Sequence, residues 1–321
     1  MLNRTELEQA ASVVGRQMQP TPQIRWPQLE TGIGAEIWVK HENHTPIGAF
    51  KIRGGIVLVD WLRKNHPQTR GMVTATRGNH GQSVARAATA AGLTSRVVVP
   101  HGNSVEKNRA MAAFGAEVIV FGKDFDEARL EAHRMAADEN LFFVPPFHPE
   151  LVRGVATYAF ELFSAQPDLD AVYVPIGCGS GICGLIHTRD AFGLQTRIIG
   201  VVAENANAAR LSFEAGKPVP TNSAATFADG IAVRDPVPEA LEIYGRGAER
   251  VVEVGESEIV EAIGLYFSAT HNVAEGAGAA PLAALMKEAD RMAGRKVALI
   301  LSGGNIDTQW FTEVLAGRIP G

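Results

Sequence analysis

The chain of 321 residues contains only two cysteines, Cys178 and Cys183, too few for a disulfide framework. Both fall in a glycine-rich stretch, where they read as small packing residues and not as a redox pair. No apolar run reaches the ~18 residues of a membrane-spanning helix. Positive charge is not in excess: 30 Lys and Arg against 35 Asp and Glu give a net charge of −5. That balance supplies no electrostatic reason for nucleic acid or an acidic membrane surface as partner. The N-terminus (MLNRTELEQAA) lacks the basic-then-apolar layout of a secretion signal. There is no repeat of fixed period, no low-complexity segment, and no His/Cys/Asp/Glu cluster with zinc-ligand spacing. The expectation is a cytoplasmic protein with small-molecule partners and no metal.

What is present is the material of a globular α/β protein. Hydrophobic residues make up 46% and charged residues 20%, enough apolar side chain for one large or two medium domains. Short β-branched runs at 36–40, 71–75, 95–99, 117–121, 171–175, 198–203 and 297–301 alternate with helix-length stretches such as 82–91 and 125–139. Apolar strands separated by helices predict parallel sheets covered by helices on both faces. The Pro-rich stretch 144–149 separates two strand sets, suggesting two lobes with a cleft between them. Residues 206–226, rich in turn formers, read as a long excursion near that cleft.

Four stretches can carry chemistry. In residues 44–55 (HTPIGAFKIRGG), Lys51 is flanked by Ala49, Phe50 and Ile52 in a glycine-bounded turn. It suits a helix-start lysine with its stem on apolar surface, or a desolvated amine able to form a Schiff base. Residues 174–184 (VPIGCGSGICG) follow a strand and place Gly179, Gly181 and Gly184 at G-x-G-x-x-G spacing, with Glu204 ending the next strand. This is a phosphate-binding pattern, and locally a good dinucleotide fingerprint, so a nicotinamide-dependent oxidoreductase is the rival reading. Residues 75–82 (ATRGNHGQ) place Arg77, Asn79 and His80 at a strand-to-helix junction, fit for a carboxylate, or for capping by Asn79. Residues 301–307 (LSGGNID) read as a strand-ending turn. His133 and His148 read as surface residues.

Together and in order, these motifs resemble the fold-type-II pyridoxal-phosphate enzymes, a two-domain α/β fold like that of the tryptophan synthase β chain. The most similar group is the threonine/serine dehydratase (ammonia-lyase) and serine racemase family. The resemblance covers nearly the whole chain through IGAFKIRGG (47–55), GNHGQ (78–82), FGAEVIV (114–120), RGVAT (153–157), the glycine-rich loop, FADGIAV (227–233), EGAGAA (275–280) and SGGN (302–305). It decides against the dinucleotide reading, which leaves Lys51 without a task. It implies a large cofactor domain of residues 1–49 and 151–321, a small domain of 50–150, and a homodimer. It implies Lys51 as Schiff-base lysine beside Phe50, and Asn79 at the cofactor ring hydroxyl. Gly177, Cys178, Gly179, Ser180 and Gly181 would hold the phosphate, and Ser302 would face the pyridine nitrogen. Thr76, Arg77, Gly78 and His80 would grip the substrate carboxylate; Glu275 lies near the ring without an assigned role. The implied reaction is β-elimination from a hydroxy-amino acid, giving a keto acid and ammonia, with racemisation as the alternative.

Departures from the family pattern refine this. Ala49 replaces the usual serine, and Cys178 with Ser180 interrupts the usual glycines; all are small, so phosphate binding is expected to survive. Arg77 stands where racemases carry a serine acid/base. An arginine is a poor base, which argues against racemisation and for a second substrate carboxylate, as in 3-hydroxyaspartate, or a bulkier substrate. Arg210 stands where metal-activated relatives have a carboxylate, so no Mg²⁺ or Ca²⁺ activation is expected there. The chain stops soon after SGGN, and isoleucine feedback through a C-terminal regulatory domain is not expected.

Overall fold

A computed structural model describes all residues 1–321. Ten strands form two sheets. The first, of six strands, contains β1 (Gln23–Arg25), β2 (Glu36–His41), β7 (Ala171–Pro175), β8 (Arg197–Ala203), β9 (Arg250–Val254) and β10 (Lys296–Leu301) in the order β1-β2-β10-β7-β8-β9. The second, of four strands, contains β3 (Gly71–Ala75), β4 (Thr94–Val99), β5 (Glu117–Val120) and β6 (Phe142–Phe143) in the order β5-β4-β3-β6. Every pairing is parallel except β1 with β2. The central strands are buried almost end to end, as strands covered on both faces require.

The seven strands expected from sequence are present, within a residue at their ends. Strands β1, β6 and β9 were not anticipated. The first two are only three and two residues long, and β9 mixes charge into its alternation (RVVEV). The supposed excursion after residue 206 is partly helical: Ala208–Ala215 forms a helix ended by left-handed Gly216.

The two sheets are joined by helices Lys51–Asn65 and Pro149–Ala165, which cross at backbone contact. A Cβ on Gly154 would lie 2.2 Å from the Arg53 carbonyl oxygen, so the crossing requires glycine. A buried ionic cluster fixes the same crossing. Arg53 and Glu42 are wholly buried, with Arg53 Nε donating to Glu42 Oε2 at 2.7 Å and Nη1 to Glu161 Oε1 at 2.7 Å. Buried Lys40 donates to Glu161 Oε2 at 2.6 Å. Burial alone would raise the Glu42 carboxyl, but the Arg53 and Lys40 cations hold it below its ordinary value. The cluster therefore ties β2 to both helices just behind Lys51.

Candidate active site

Four loops converge at the carboxyl ends of the parallel strands, where open α/β sheets bind ligands. Parallel pairing sets Leu301 beside His41, so the loop after β2 and the loop after β10 leave the sheet together. The Phe50 N–H donates to the Ser302 carbonyl at 3.0 Å, and Ala49 forms an isolated bridge with Gly303. Thr45 Oγ1 accepts from the Ala49 N–H at 2.9 Å and donates to the Ala49 carbonyl at 2.7 Å, closing the turn that delivers Lys51 as the first residue of its helix.

The Lys51 amine crosses to the glycine-rich loop after β7, where Nζ donates to Ser180 Oγ at 3.1 Å. It lies 4.8 Å from the centre of the Phe50 ring, which in turn packs edge-on against Tyr158. Burial lowers the Lys51 pKa, against the attraction of Cys178 and Glu275. Gly179 takes a left-handed φ of 96°, and the helix Ser180–Ala191 starts at the next residue. The loop thus presents the unpaired N–H groups of a helix N-terminus, a ready anion site. Burial raises the Cys178 thiol pKa, with Lys51 opposing.

Asn79 opens the helix Asn79–Ala90, and its side chain does not cap that helix. Its Nδ2 donates to Glu275 Oε1 at 2.8 Å, and its Oδ1 accepts from Asn305 Nδ2 at 2.7 Å. The capping alternative is thereby replaced by a long-range role. Glu275 is buried, which pushes its carboxyl up to about 7 against the pull of Lys107 and the Asn79 hydrogen bond. His80 is mostly buried instead of lying on the surface; burial, with help from Lys51, pushes it down to about 4, and its Nε2 has no protein partner. Thr76 is buried and its Oγ1 accepts from the Gly78 N–H at 3.0 Å. Arg77 is exposed, with its guanidinium in no ion pair or hydrogen bond. Ser302 is buried beside Gly303. His133 stacks on Phe143, and His148 caps the helix Pro149–Ala165 by accepting from the Glu150 N–H at 3.1 Å.

Lys107 lies outside every motif read from the sequence, and Asp229 and Asn305 lie within FADGIAV and SGGN without having been given a role. Lys107 is buried and donates to Asp229 Oδ2 at 2.5 Å; burial opposes its charge, but Asp229 carries its pKa above the ordinary value. With Phe227, Glu275, Asn305 and Trp310 these residues line a small cavity adjoining Asn79. Ser104 Oγ donates to Asp307 Oδ1 at 2.6 Å, another contact between the two sheets at this mouth. A separate recess of about 490 Å³ lies at the opposite ends of β7, β8 and β10. It contains none of the motif residues, and its Arg295 pairs with its own Asp170 at 3.4 Å.

A desolvated primary amine, a glycine-rich helix N-terminus and polar groups from four loops define a site for an aldehyde cofactor that carries a phosphate. Residues 14–303 match the pyridoxal-phosphate dependent enzyme family, and the chain belongs to that family. It is 35% identical over 283 residues to an L-threonine ammonia-lyase of Thermotoga maritima, covering 88% of this chain and 70% of that one. It is 27% identical over 313 residues to an L-threo-3-hydroxyaspartate ammonia-lyase of Saccharomyces cerevisiae, covering 97% and 96%. Among solved structures, a pyridoxal 5'-phosphate-dependent aspartate racemase superposes with a TM-score of 0.91 at 27% identity, covering 96% of this chain and 97% of that one. The expected fold and cofactor are therefore those of the family, and the dinucleotide reading is set aside. The residues present fit the cofactor: the amine faces the anion cradle, and the orphaned His80 Nε2 leaves a polar group free for a ligand.

Proposed function

We propose that this enzyme removes water and ammonia from a β-hydroxy-α-amino acid, leaving a keto acid, with Lys51 as its catalytic amine. The observation that carries this is the convergence of Lys51 Nζ on the Ser180 loop, with Asn79 at an adjoining helix start and Ser302 at the end of β10. Pyridoxal phosphate, when bound, supplies the electron sink for the α-carbon. Gly177, Cys178, Gly179, Ser180 and Gly181 would hold its phosphate, Asn79 its ring hydroxyl and Ser302 its ring nitrogen, with Phe50 beside Lys51. Lys51 Nζ, whose burial favours the neutral amine, takes the α-proton. Thr76, Gly78 and His80 would orient the substrate carboxylate.

Arg77 is the residue of this loop whose charge has no protein partner, which supports a substrate with a second carboxylate, such as a 3-hydroxyaspartate. The racemase reading draws on the aspartate racemase likeness, but Arg77 would be a poor opposite-face base. The same reading includes a small domain at 50–150, which contains the whole four-stranded sheet, a homodimer, and a cytoplasmic location. No helix is long and apolar enough to cross a membrane.

Borohydride reduction followed by peptide mapping is expected to fix the cofactor on Lys51, and keto-acid release is expected from a hydroxy-amino-acid panel. Chiral inversion without keto acid would favour the racemase. Arg77→Ala is expected to lose at least about tenfold in kcat/KM for a 3-hydroxyaspartate, the scale of one charge-assisted hydrogen bond, while threonine and serine change little. Equal effects on all substrates would refute the second-carboxylate role.

A further inference from the structure

We propose that the Ser180 hydroxyl is a loading switch: it holds the Lys51 amine at the phosphate cradle before the cofactor arrives, then turns to the phosphate. The proposal rests on the site reading above. Ser180 is 2% exposed, and its Oγ is the sole hydrogen-bond acceptor that Lys51 Nζ has in the protein, at 3.1 Å. Its backbone simultaneously begins the helix whose N–H groups form the cradle. One small residue therefore contacts both partners of the loading reaction.

In that reaction the Lys51 nitrogen bonds to the cofactor's aldehyde carbon. The aldehyde oxygen leaves as water, taking both protons of the neutral amine, with no oxidant or reductant involved. A nucleophile must be neutral and aimed. Burial makes neutrality easier for Lys51, and Ser180 supplies the aim. As acceptor to the amine, the hydroxyl keeps its own proton available. An arriving phosphate oxygen can take that proton's hydrogen bond as the amine departs, so Ser180 Oγ has a partner throughout. Cys178 contacts neither role in the same way, since its thiol is a weak hydrogen-bond former.

The test is made on holoenzyme stripped of cofactor and reloaded, comparing wild type with Ser180→Ala and Ser180→Gly. Binding is followed by the absorbance of the covalently held cofactor, and folding by thermal melting. Two probes are used: pyridoxal phosphate, and pyridoxal, which has the aldehyde but no phosphate. Both variants are expected to react with pyridoxal at least fivefold more slowly, and to hold pyridoxal phosphate at least tenfold more weakly. Normal pyridoxal rates in folded variants would overturn the amine-holding role. Unchanged pyridoxal phosphate affinity would overturn the exchange to phosphate. If borohydride fails to fix cofactor on Lys51 in the wild type, the site reading itself falls, whatever the variants do.

Discussion

Removing two opposite charges from the buried ionic cluster behind Lys51 should cost the protein less than the two single removals added together. Arg53 uses all three of its nitrogens there: Nε donates to Glu42 at 2.7 Å, Nη1 to Thr157 at 3.1 Å and Glu161 at 2.7 Å, and Nη2 to Glu42 at 2.9 Å and Glu161 at 2.8 Å. With Lys40 the cluster holds two cations and two anions and is neutral. Arg53→Met leaves an uncompensated negative charge at Glu42, which has no solvent exposure. Breaking a buried pair from one side costs about 3–5 kcal/mol, a large part of the ~5–15 kcal/mol that stabilises a typical domain. Glu42→Gln leaves the opposite imbalance, with Arg53 and Lys40 facing only Glu161, and should cost about as much.

The double variant Arg53→Met with Glu42→Gln restores neutrality. It keeps the Lys40–Glu161 pair at 2.6 Å and puts the new amide within reach of Thr21, while Glu161 Oε1, which loses its Arg53 donor, belongs to a partly exposed side chain. Its loss is expected to fall short of the sum of the singles by at least about 2 kcal/mol. Urea unfolding of the three variants and the wild type measures this, provided the dependence on urea stays constant across the set. Additive losses would refute the reasoning, because they would mean that each charge is stabilised independently of the other.

Three further outcomes follow from the same structure. Gly154→Ala drives a Cβ against the Arg53 carbonyl and is expected to lower the melting temperature by at least about 4 °C, whereas Gly264→Ala, with open space around it, should be neutral or slightly stabilising. Burial holds a proton on Glu275 up to about 7 that the unfolded chain, at an ordinary 4.5, releases earlier. This contribution is complete below 4.5 and lost as pH rises through 7, about 3 kcal/mol in the limit, so Glu275→Gln should flatten the fall in cofactor-free stability between pH 5 and pH 8. Arg210 pairs with Glu214 at 2.9 Å and with Glu253, and its cation would repel a divalent ion at that position; chelator should leave activity unchanged, and restoration by Mg²⁺ after chelation would contradict this.

The parts of this molecule legible in its sequence are those whose signals are local. The β-branched runs, the glycines at 177–184 and the strand-ending SGGN each state their geometry within about ten residues, and the structure builds strands and turns there. Lys51 was ambiguous on local grounds, because a helix-start lysine and a desolvated amine share one pattern; it is the first residue of a helix and a half-buried amine whose desolvation lowers its pKa. What could not be read were polar partnerships closed by the fold. Asn79 reaches Glu275 across 196 positions, and Lys40 reaches Glu161 across 121. No spacing rule announces such pairs, and local chemistry offered Asn79 a ligand oxygen or a helix cap but no tie to Glu275. Buried charge stands where apolar residues are expected: Lys40 is the penultimate residue of buried β2, and Arg53 sits on the buried face of its helix. Such residues must find partners when folded, since an unpaired buried charge costs more than a fold can easily absorb. Arg53, two positions from the reactive lysine, meets that need through Glu42 and Glu161, 11 and 108 positions away, and no pattern around KIR points to either of them.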